Sequence, residues 1–155
     1  MNALDGDLNE REAVAQDLER ELTVLLGMAR RVSSAFARRI HPELDSTSYA
    51  LMLQLHDVGP ARAAELAERA GLDKSTISRQ LTRLSGLGLV ERVADPADGR
   101  ARIVRLTELG RQRLDEVRTD RRRRLRARIA TWPTPEVRAL SAMLGRLNDD
   151  LNDER

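Results

Sequence analysis

Residues 61–106 contain two short helical patterns separated by one glycine, and this arrangement constrains the fold more than any other part of the chain. In the first pattern, Leu66 and Ala70 fall on the same helical face. Gly71 can take the positive φ that a tight turn needs. Asp73 can accept hydrogen bonds from the free backbone N–H groups at the start of the next helix. A helix, a glycine turn and a second capped helix are the components of a helix-turn-helix.

The second predicted helix is apolar on one side and polar and basic on the other. Its apolar residues, Ile77, Leu81 and Leu84, repeat at the spacing of a buried helical stripe. The opposite side carries hydroxyl and cationic groups, which is typical of a helix that lies in the major groove of DNA. These residues are Lys74, Ser75, Thr76, Ser78, Arg79, Thr82 and Arg83.

A predicted β-hairpin follows directly. Residues 90–93 form a short β-branched run, residues 95–99 are dense in turn-forming residues, and residues 101–106 are again rich in Ile and Val. A helix-turn-helix followed by a charged hairpin is a winged helix. The predicted fold is therefore mainly α, a winged helix-turn-helix with a two-stranded β-wing and flanking helices.

The ordered set of these motifs resembles the MarR (multiple antibiotic resistance regulator) family. The resemblance rests on the segments LAERAGL, STISRQLTRL, GLVER, DPADGR and VRLTELGR, and it extends through the flanking helices. Its most specific part is Asp98-x-Arg100, followed eight residues later by Glu108 at a helix start. Gly99 departs from the pattern, because many members carry a bulkier or charged residue there. The resemblance implies a repressor whose terminal helices form a dimer.

Long amphipathic segments flank the winged helix. Residues 18–36 and 140–151 each carry an apolar stripe at helical spacing, and further helices are predicted to begin near Ser46, at Thr107 and at Thr134. Burying these leucines at about 1.5–3 kcal/mol each requires another surface. We expect the terminal helices to interleave with those of a second copy, although packing on their own chain is an alternative.

The predicted organisation is one intertwined domain with three parts. Residues 1–45 are an N-terminal dimerisation helix, residues 46–106 are the DNA-binding region, and residues 107–155 are C-terminal dimerisation helices. A length of 155 residues suits one domain with such arms.

Composition excludes several classes of function. The net charge is only +2, so the chain is no generically basic protein that coats nucleic acid, although residues 60–106 hold nine basic against six acidic residues. There is no cysteine, and the two histidines lack metal-ligand spacing, so we expect no metal or other cofactor. No glycine-rich phosphate loop or nucleophile motif points to an enzyme. No apolar stretch is long enough to span a membrane and the N-terminus is acidic, so a cytoplasmic location is expected.

We call the second predicted helix the recognition helix. The role of each of its polar residues is predicted from its position and from how far its side chain extends. Arg79 lies one turn into the helix and has the planar fork that pairs with the O6 and N7 atoms of guanine. Ser75 and Thr76 lie at the N-terminal end, where hydroxyls can meet base edges or phosphates. The residues expected to hold phosphates are Lys74, Thr82 and Arg83, although Arg83 could simply be solvated.

The wing supplies a second set of candidates. Arg100 is expected to enter a narrow A·T-rich minor groove. Asp98 would pair with Arg92 or Arg100 and set the shape of the tip, as the family pattern implies, and Arg102 would touch the DNA backbone.

An effector and two other interpretations complete the predictions. The resemblance implies a small phenolic or lipophilic ligand between the dimerisation helices and the winged helix, for which the candidates are Phe36, Tyr49, Met52 and His56. The run Arg121-Arg122-Arg123-Arg124 could pair with the acidic first helix or bind phosphate directly. Alternative functions are a non-specific architectural DNA-binding protein and a winged helix used only for protein contacts.

Overall fold

The computed structural model describes residues 3–153 as six helices and one two-stranded sheet. The helices are α1 (Ala3–Ile40), α2 (Ser46–Val58), α3 (Ala63–Ala70), α4 (Lys74–Gly86), α5 (Glu108–Arg128) and α6 (Thr134–Asp153). The strands are β1 (Val90–Asp95) and β2 (Asp98–Leu106), which pair antiparallel. The predicted fold class, a mainly helical winged helix-turn-helix, is confirmed. Within the described part of the chain, no helix is both long enough and apolar enough to cross a bilayer.

The helix boundaries around the predicted turn arise from local chemistry. Gly71 ends α3 with φ of 61°, in the left-handed region that glycine adopts without strain. The Asp73 side chain then caps α4 by accepting hydrogen bonds from the backbone N–H groups of Ser75 and Thr76. Both predictions are confirmed. Asp45 caps α2 in the same way through the N–H of Ser48.

The wing is longer than its sequence pattern indicates. Asp98 begins β2, three residues before the predicted start of this strand, so the predicted boundary was wrong. The reason is an Asp turn: the Asp95 carboxylate accepts the N–H of Ala97 at 2.9 Å, which reverses the chain within two residues. Ala61 adds a short bridge on the other side of β2, with backbone hydrogen bonds to Val104 at 2.8 and 3.1 Å.

The chain divides into two compact units, residues 1–117 and 118–155. The core of the first unit includes the end of α1 and the start of α5 as well as the winged helix, because Phe36, Ile40, Leu114 and Val117 are buried with it. Aliphatic side chains form most of this core, as the scarcity of aromatic residues requires.

The start of α5 is packed directly on the backbone between α4 and β1. Gly110 lies against Leu89 so closely that a Cβ atom built on the glycine would be 2.0 Å from the Leu89 carbonyl oxygen. The Thr107 hydroxyl donates to the carbonyl of Gly88 at 2.6 Å and accepts from the N–H of Gly110 at 3.0 Å. Thr107 thus caps α5, as predicted, and also joins the helix to the preceding turn.

The second unit consists of the remainder of α5 and α6. Asp120 is its buried acid, and its carboxylate accepts from Arg124 at 2.7 Å and also contacts Arg123. Large apolar side chains in this unit are exposed, namely Leu125, Trp132, Leu140, Met143, Leu144 and Leu151. The same holds along α1, where the exposed residues are Val14, Leu18, Val24, Leu25, Leu26, Met28 and Val32.

Candidate nucleic-acid interface

Helix α4 presents the predicted polar face to solvent. Ile77, Leu81 and Leu84 are at most 3% exposed and hold the helix on the core. Of the seven predicted DNA-binding residues on this helix, six are exposed and Thr76 is half-buried. The helix therefore displays an accessible surface of hydroxyl and cationic groups.

A chain of hydrogen bonds runs along the first turn of α4. The hydroxyls of Ser75 and Thr76 donate to the Asp73 carboxylate at 2.6 and 2.7 Å. These bonds, together with those from the two backbone N–H groups, hold the pKa of Asp73 far below its usual range. Because both hydroxyl protons are directed at Asp73, the two oxygens can act only as hydrogen-bond acceptors toward other groups.

The same chain reaches Arg79. Its guanidinium donates to the Thr76 hydroxyl oxygen at 3.3 Å, which holds the side chain along the outer face of α4. Only one of its nitrogens is used in this contact, so the remaining donors of the fork face solvent. This arrangement suits a side chain that reads the edge of a base.

Arg83 has partners that the sequence did not reveal. Its guanidinium donates to the backbone carbonyl of Glu43 at 3.3 Å and lies 3.8 Å from the Asp45 carboxylate. Both partners belong to the segment between α1 and α2. Arg83 is therefore not simply solvated, and it can reach a phosphate only by exchanging or sharing these contacts. Its binding to phosphate stays a prediction.

The wing is tied to the start of α3 by an arginine that the sequence analysis missed. Arg62 donates to the Asp95 carboxylate through Nε at 3.1 Å and Nη2 at 2.7 Å, and Nη2 lies 3.8 Å from Asp98. The hydrogen bond from Arg62 is the largest cause holding the pKa of Asp95 below its usual value. Arg62 thereby links the two acids on either side of the wing turn.

Asp98 and Arg100 are in contact, but not in the way expected. The Asp98 carboxylate accepts the backbone N–H of Arg100 at 3.1 Å. The predicted pair of Asp98 with Arg100 is therefore present as a hydrogen bond to the Arg100 backbone, while the cation near the Asp98 carboxylate is Arg62 rather than the Arg92 or Arg100 guanidinium. The reason is that the α3 start, distant in sequence, packs beside the wing. The Arg100 side chain is exposed at the tip.

A cleft of about 530 Å³ lies between the helix-turn-helix and the wing. Lys74 of α4 lines it together with Arg92 of β1 and Arg102 of β2. Its other lining residues are small or apolar, namely Ala63, Ala64, Ala67, Ile77, Ser78 and Val104. The structure thus brings two predicted contacts to the DNA backbone, Lys74 and Arg102, to one cleft and adds Arg92, which was not predicted to contact DNA.

The four candidate ligand residues lie in two different environments. Phe36, Tyr49 and Met52 are at most 5% exposed and belong to the core, and the ring centroids of Phe36 and Tyr49 are 6.2 Å apart. Among the described residues, the buried Tyr49 hydroxyl has no hydrogen-bond partner. His56 instead lies near the surface, where its ring nitrogens are 3.0 Å from Asp57 and 3.2 Å from Asp115 of α5.

The arginine run on α5 has partners within its own helix. Arg123 and Arg124 contact Asp120, three and four residues away. On the acidic first helix, Asp17 contacts Arg20 at 2.7 Å. Whether the run binds phosphate stays a prediction.

An exposed basic helix beside an antiparallel charged hairpin defines the class of winged helix-turn-helix DNA-binding proteins. The model of the MarR family matches residues 44–101. The uncharacterized HTH-type transcriptional regulator YxaD of Bacillus subtilis is 37% identical over 131 residues, which span 84% of this chain and 90% of that protein. The chain belongs to the MarR family of transcriptional regulators, which are DNA-binding proteins and not enzymes.

Two further proteins extend the comparison. The HTH-type transcriptional repressor NicR of Pseudomonas putida is 39% identical over 74 residues, which span 48% of this chain and 47% of NicR. The crystal structure of Streptococcus pneumoniae FabT in complex with DNA superimposes with a TM-score of 0.79 at 16% identity, covering 91% of this chain and 99% of FabT. The latter likeness shows that the fold is shared over the matched part of the chain.

Proposed function

We propose that this regulator is a cytoplasmic, ligand-responsive repressor that binds a pseudo-palindromic operator as a homodimer. The observation that carries the proposal is the exposed, pre-ordered polar face of α4 beside the cationic cleft and wing. The repressor role is supported by the similarity to NicR, which is named as a repressor. Duplex DNA as the partner is supported by the fold shared with FabT, whose structure contains DNA.

The homodimer is supported by the apolar surface of the terminal helices. Leu18, Leu25 and Val32 on α1 are about half exposed in the single chain, and Leu140 and Met143 on α6 are also exposed. Such rows of apolar residues mark interaction surfaces. The charges also match, because residues 5–21 hold seven acidic and two basic residues whereas residues 111–128 hold nine arginines and three acids.

Within this proposal, each DNA-contacting group has a distinct task. Arg79 reads a base in the major groove, and Arg100 enters the minor groove. Lys74, Arg92 and Arg102 surround the cleft between α4 and the wing, where they neutralise the DNA backbone. Two such modules in a dimer would occupy successive major grooves, about 34–36 Å apart.

Tyr49 supports the proposed response to a ligand. A buried hydroxyl without a partner costs about 1–3 kcal/mol, so an acceptor supplied by a ligand or by a second copy would be favoured there. Binding beside α1 and α2 would shift the population of dimer geometries and hence the separation of the recognition helices.

Selection of bound duplexes from random DNA, followed by affinity measurements, tests the proposal. We expect the selected duplex to be a near-palindrome that binds at least about 10³-fold more tightly than random duplex. A ratio near one would favour the architectural alternative, and absence of DNA binding would favour a protein-contact role. Sedimentation at micromolar concentration tests the dimer, and a monomer would contradict that part. Deletion of residues 137–155 should give monomers or aggregates.

A further inference from the structure

The side chain of Gln80 on the recognition helix closes a ring of hydrogen bonds with the N-terminal cap of α2. The Ser48 hydroxyl donates to Gln80 Oε1 at 2.6 Å, and Gln80 Nε2 donates to Asp45 Oδ2 at 3.0 Å. The other oxygen of Asp45 accepts the backbone N–H of Ser48 at 2.8 Å. Gln80 is 32 residues from Ser48 and 35 from Asp45 in sequence, so the ring joins two separate helices.

This ring lies partly inside the protein and is charge-assisted. Ser48 is fully buried, and Gln80 is half-buried at the edge of the apolar stripe of α4. Burial disfavours the charged form of Asp45, but hydrogen bonds from Ser48 and Gln80 outweigh this effect and hold its pKa below the usual value. Bonds of this kind to a carboxylate are shorter and stronger than bonds between neutral groups.

Directional bonds restrain a helix differently from aliphatic packing. The contacts of Ile77, Leu81 and Leu84 with the core set the distance of α4 from the other helices, but they tolerate small rotations about the helix axis. The carboxamide of Gln80 binds two fixed partners with defined angles, so it restrains that rotation. Arg79 directly precedes Gln80 on the helix and is offset from it by about 100°, so any rotation of α4 moves the Arg79 guanidinium.

We propose that Gln80 is a positioning residue for base recognition, because its bonds to Asp45 and Ser48 set the rotation at which α4 presents Arg79 to the DNA. The inference rests on the proposed function, specifically on sequence-specific binding through Arg79. Gln80 is not assigned a DNA contact of its own, since its oxygen is already hydrogen-bonded to Ser48 of α2 and its amide nitrogen to Asp45, the N-cap of that helix.

A pair of substitutions that exchanges donor and acceptor tests this role. Gln80→Glu places a second carboxylate against Asp45 and breaks the ring by repulsion. In the double variant Asp45→Asn/Gln80→Glu, the amide at position 45 can donate to the carboxylate at position 80, while Ser48 still donates to it. Asparagine also remains a good N-cap for α2, and the net charge of the double variant equals that of the wild type.

The readout is a discrimination ratio. It is the Kd on a duplex changed at the base pair sensed by Arg79, divided by the Kd on the duplex that the wild type selects. The sensed base pair is the one at which Arg79→Ala loses discrimination. We expect Gln80→Glu to lower the ratio on the order of tenfold, within the range for loss of a bidentate base contact, and the double variant to restore it. Gln112→Glu adds the same charge on an exposed part of α5 and should leave the ratio unchanged.

A cycle with Arg79 separates positioning from general loss of structure. If Gln80 acts through Arg79, Gln80→Glu should weaken binding to the selected duplex much less in the Arg79→Ala background than in the wild type, whereas a general loss of structure would weaken binding in both backgrounds by the same factor. Circular dichroism melts identify variants that fail to fold. Gln80→Met keeps the length of the side chain without its hydrogen bonds, so it should also lower the ratio. It provides the test if Gln80→Glu does not fold.

The outcomes distinguish this inference from the proposed function. A wild-type protein that binds all duplexes equally overturns both. A wild-type protein that discriminates, with folded Gln80→Glu and Gln80→Met variants that discriminate equally well, overturns the positioning role alone. A folded double variant that does not regain discrimination also overturns it, because Gln80 would then read the DNA directly.

Discussion

The guanidinium of Arg62 binds the carboxylate of Asp95 through two nitrogens, at 3.1 and 2.7 Å, although the two residues are 33 positions apart in the sequence. The first residue of the pair precedes α3, and the second ends the first strand of the wing. The two-nitrogen geometry gives directional restraint as well as attraction. The wing is therefore attached to the start of α3 at the wing's own turn, in addition to its connections through β1 and β2.

Arg62→Ala should weaken DNA binding several-fold while changing the melting temperature little. Solvent screens the half-exposed Arg62 side chain, although that of Asp95 is only 12% exposed, so we expect the pair to contribute mainly to wing position rather than to stability. Fluorescence anisotropy on the selected duplex at fixed salt measures the effect. Arg105→Ala is a matched control, because it removes an exposed pair with Glu91 at 2.8 Å at the other end of the same hairpin. Equal losses in the two variants would contradict the restraint.

Arg79 and Lys74 should respond differently to substitution. Arg79→Ala is expected to cost about 1–3 kcal/mol on the selected duplex and much less on random DNA, because it removes a base contact. Lys74→Ala should weaken binding to both duplexes nearly equally. It should also reduce the magnitude of the slope of log K against log salt concentration by about one. Titrations at several salt concentrations measure both quantities. Equal weakening of both duplexes by Arg79→Ala would reassign that residue to the backbone.

Asp98→Ala distinguishes electrostatic repulsion of DNA by Asp98 from a structural role of this residue at the wing tip. Removing an acid near DNA should tighten binding if repulsion alone matters. However, Asp98 accepts the N–H of Arg100 and so orders the tip that presents this arginine. We expect weaker binding to the selected duplex at moderate salt, whereas tighter binding would exclude the structural role. Arg100→Ala should weaken binding most on sites with A·T-rich flanks.

Gly110→Ala should destabilise the fold by about 1–3 kcal/mol, the range for overpacking a core. The added methyl group would collide with the Leu89 carbonyl, which belongs to the backbone and cannot move away as a side chain can. Gly86→Ala, at the end of α4, is the control, since nothing lies within 4 Å of the position its Cβ would take. Thermal unfolding followed by circular dichroism compares the two. If both variants melted at the same temperature, the close contact would be unimportant for stability.

The parts of this molecule that sequence predicts are those that depend on near neighbours. Gly71, Asp73 and the stripe Ile77, Leu81 and Leu84 act within a few positions of one another, so the turn, the cap and the buried face follow from local chemistry. The same holds for the cap at Thr107. These features were sufficient to predict the winged helix.

Three of the residues whose contacts were missed join distant segments. Arg62 binds across 33 positions, Gln80 across 32 and 35, and Arg83 across 40 to Glu43. No periodicity marks such residues, because their partners are brought near only when α2, α4 and the wing pack together. Gln80 has an additional ambiguity, since glutamine at the edge of a polar helical face is ordinarily a solvated residue.

The contact of Gly110 with Leu89 has a practical meaning for anyone who exchanges parts between related regulators. In a chimera joined at Leu106, a foreign helix would replace Gly110, which packs on the Leu89 backbone without an intervening side chain. The chimera would also replace Leu114 and Val117 in the core. A junction after Val117 keeps the start of α5 together with Gly88 and Leu89, the residues on which it packs. The smallest transferable DNA-binding cassette is therefore larger than the winged helix itself.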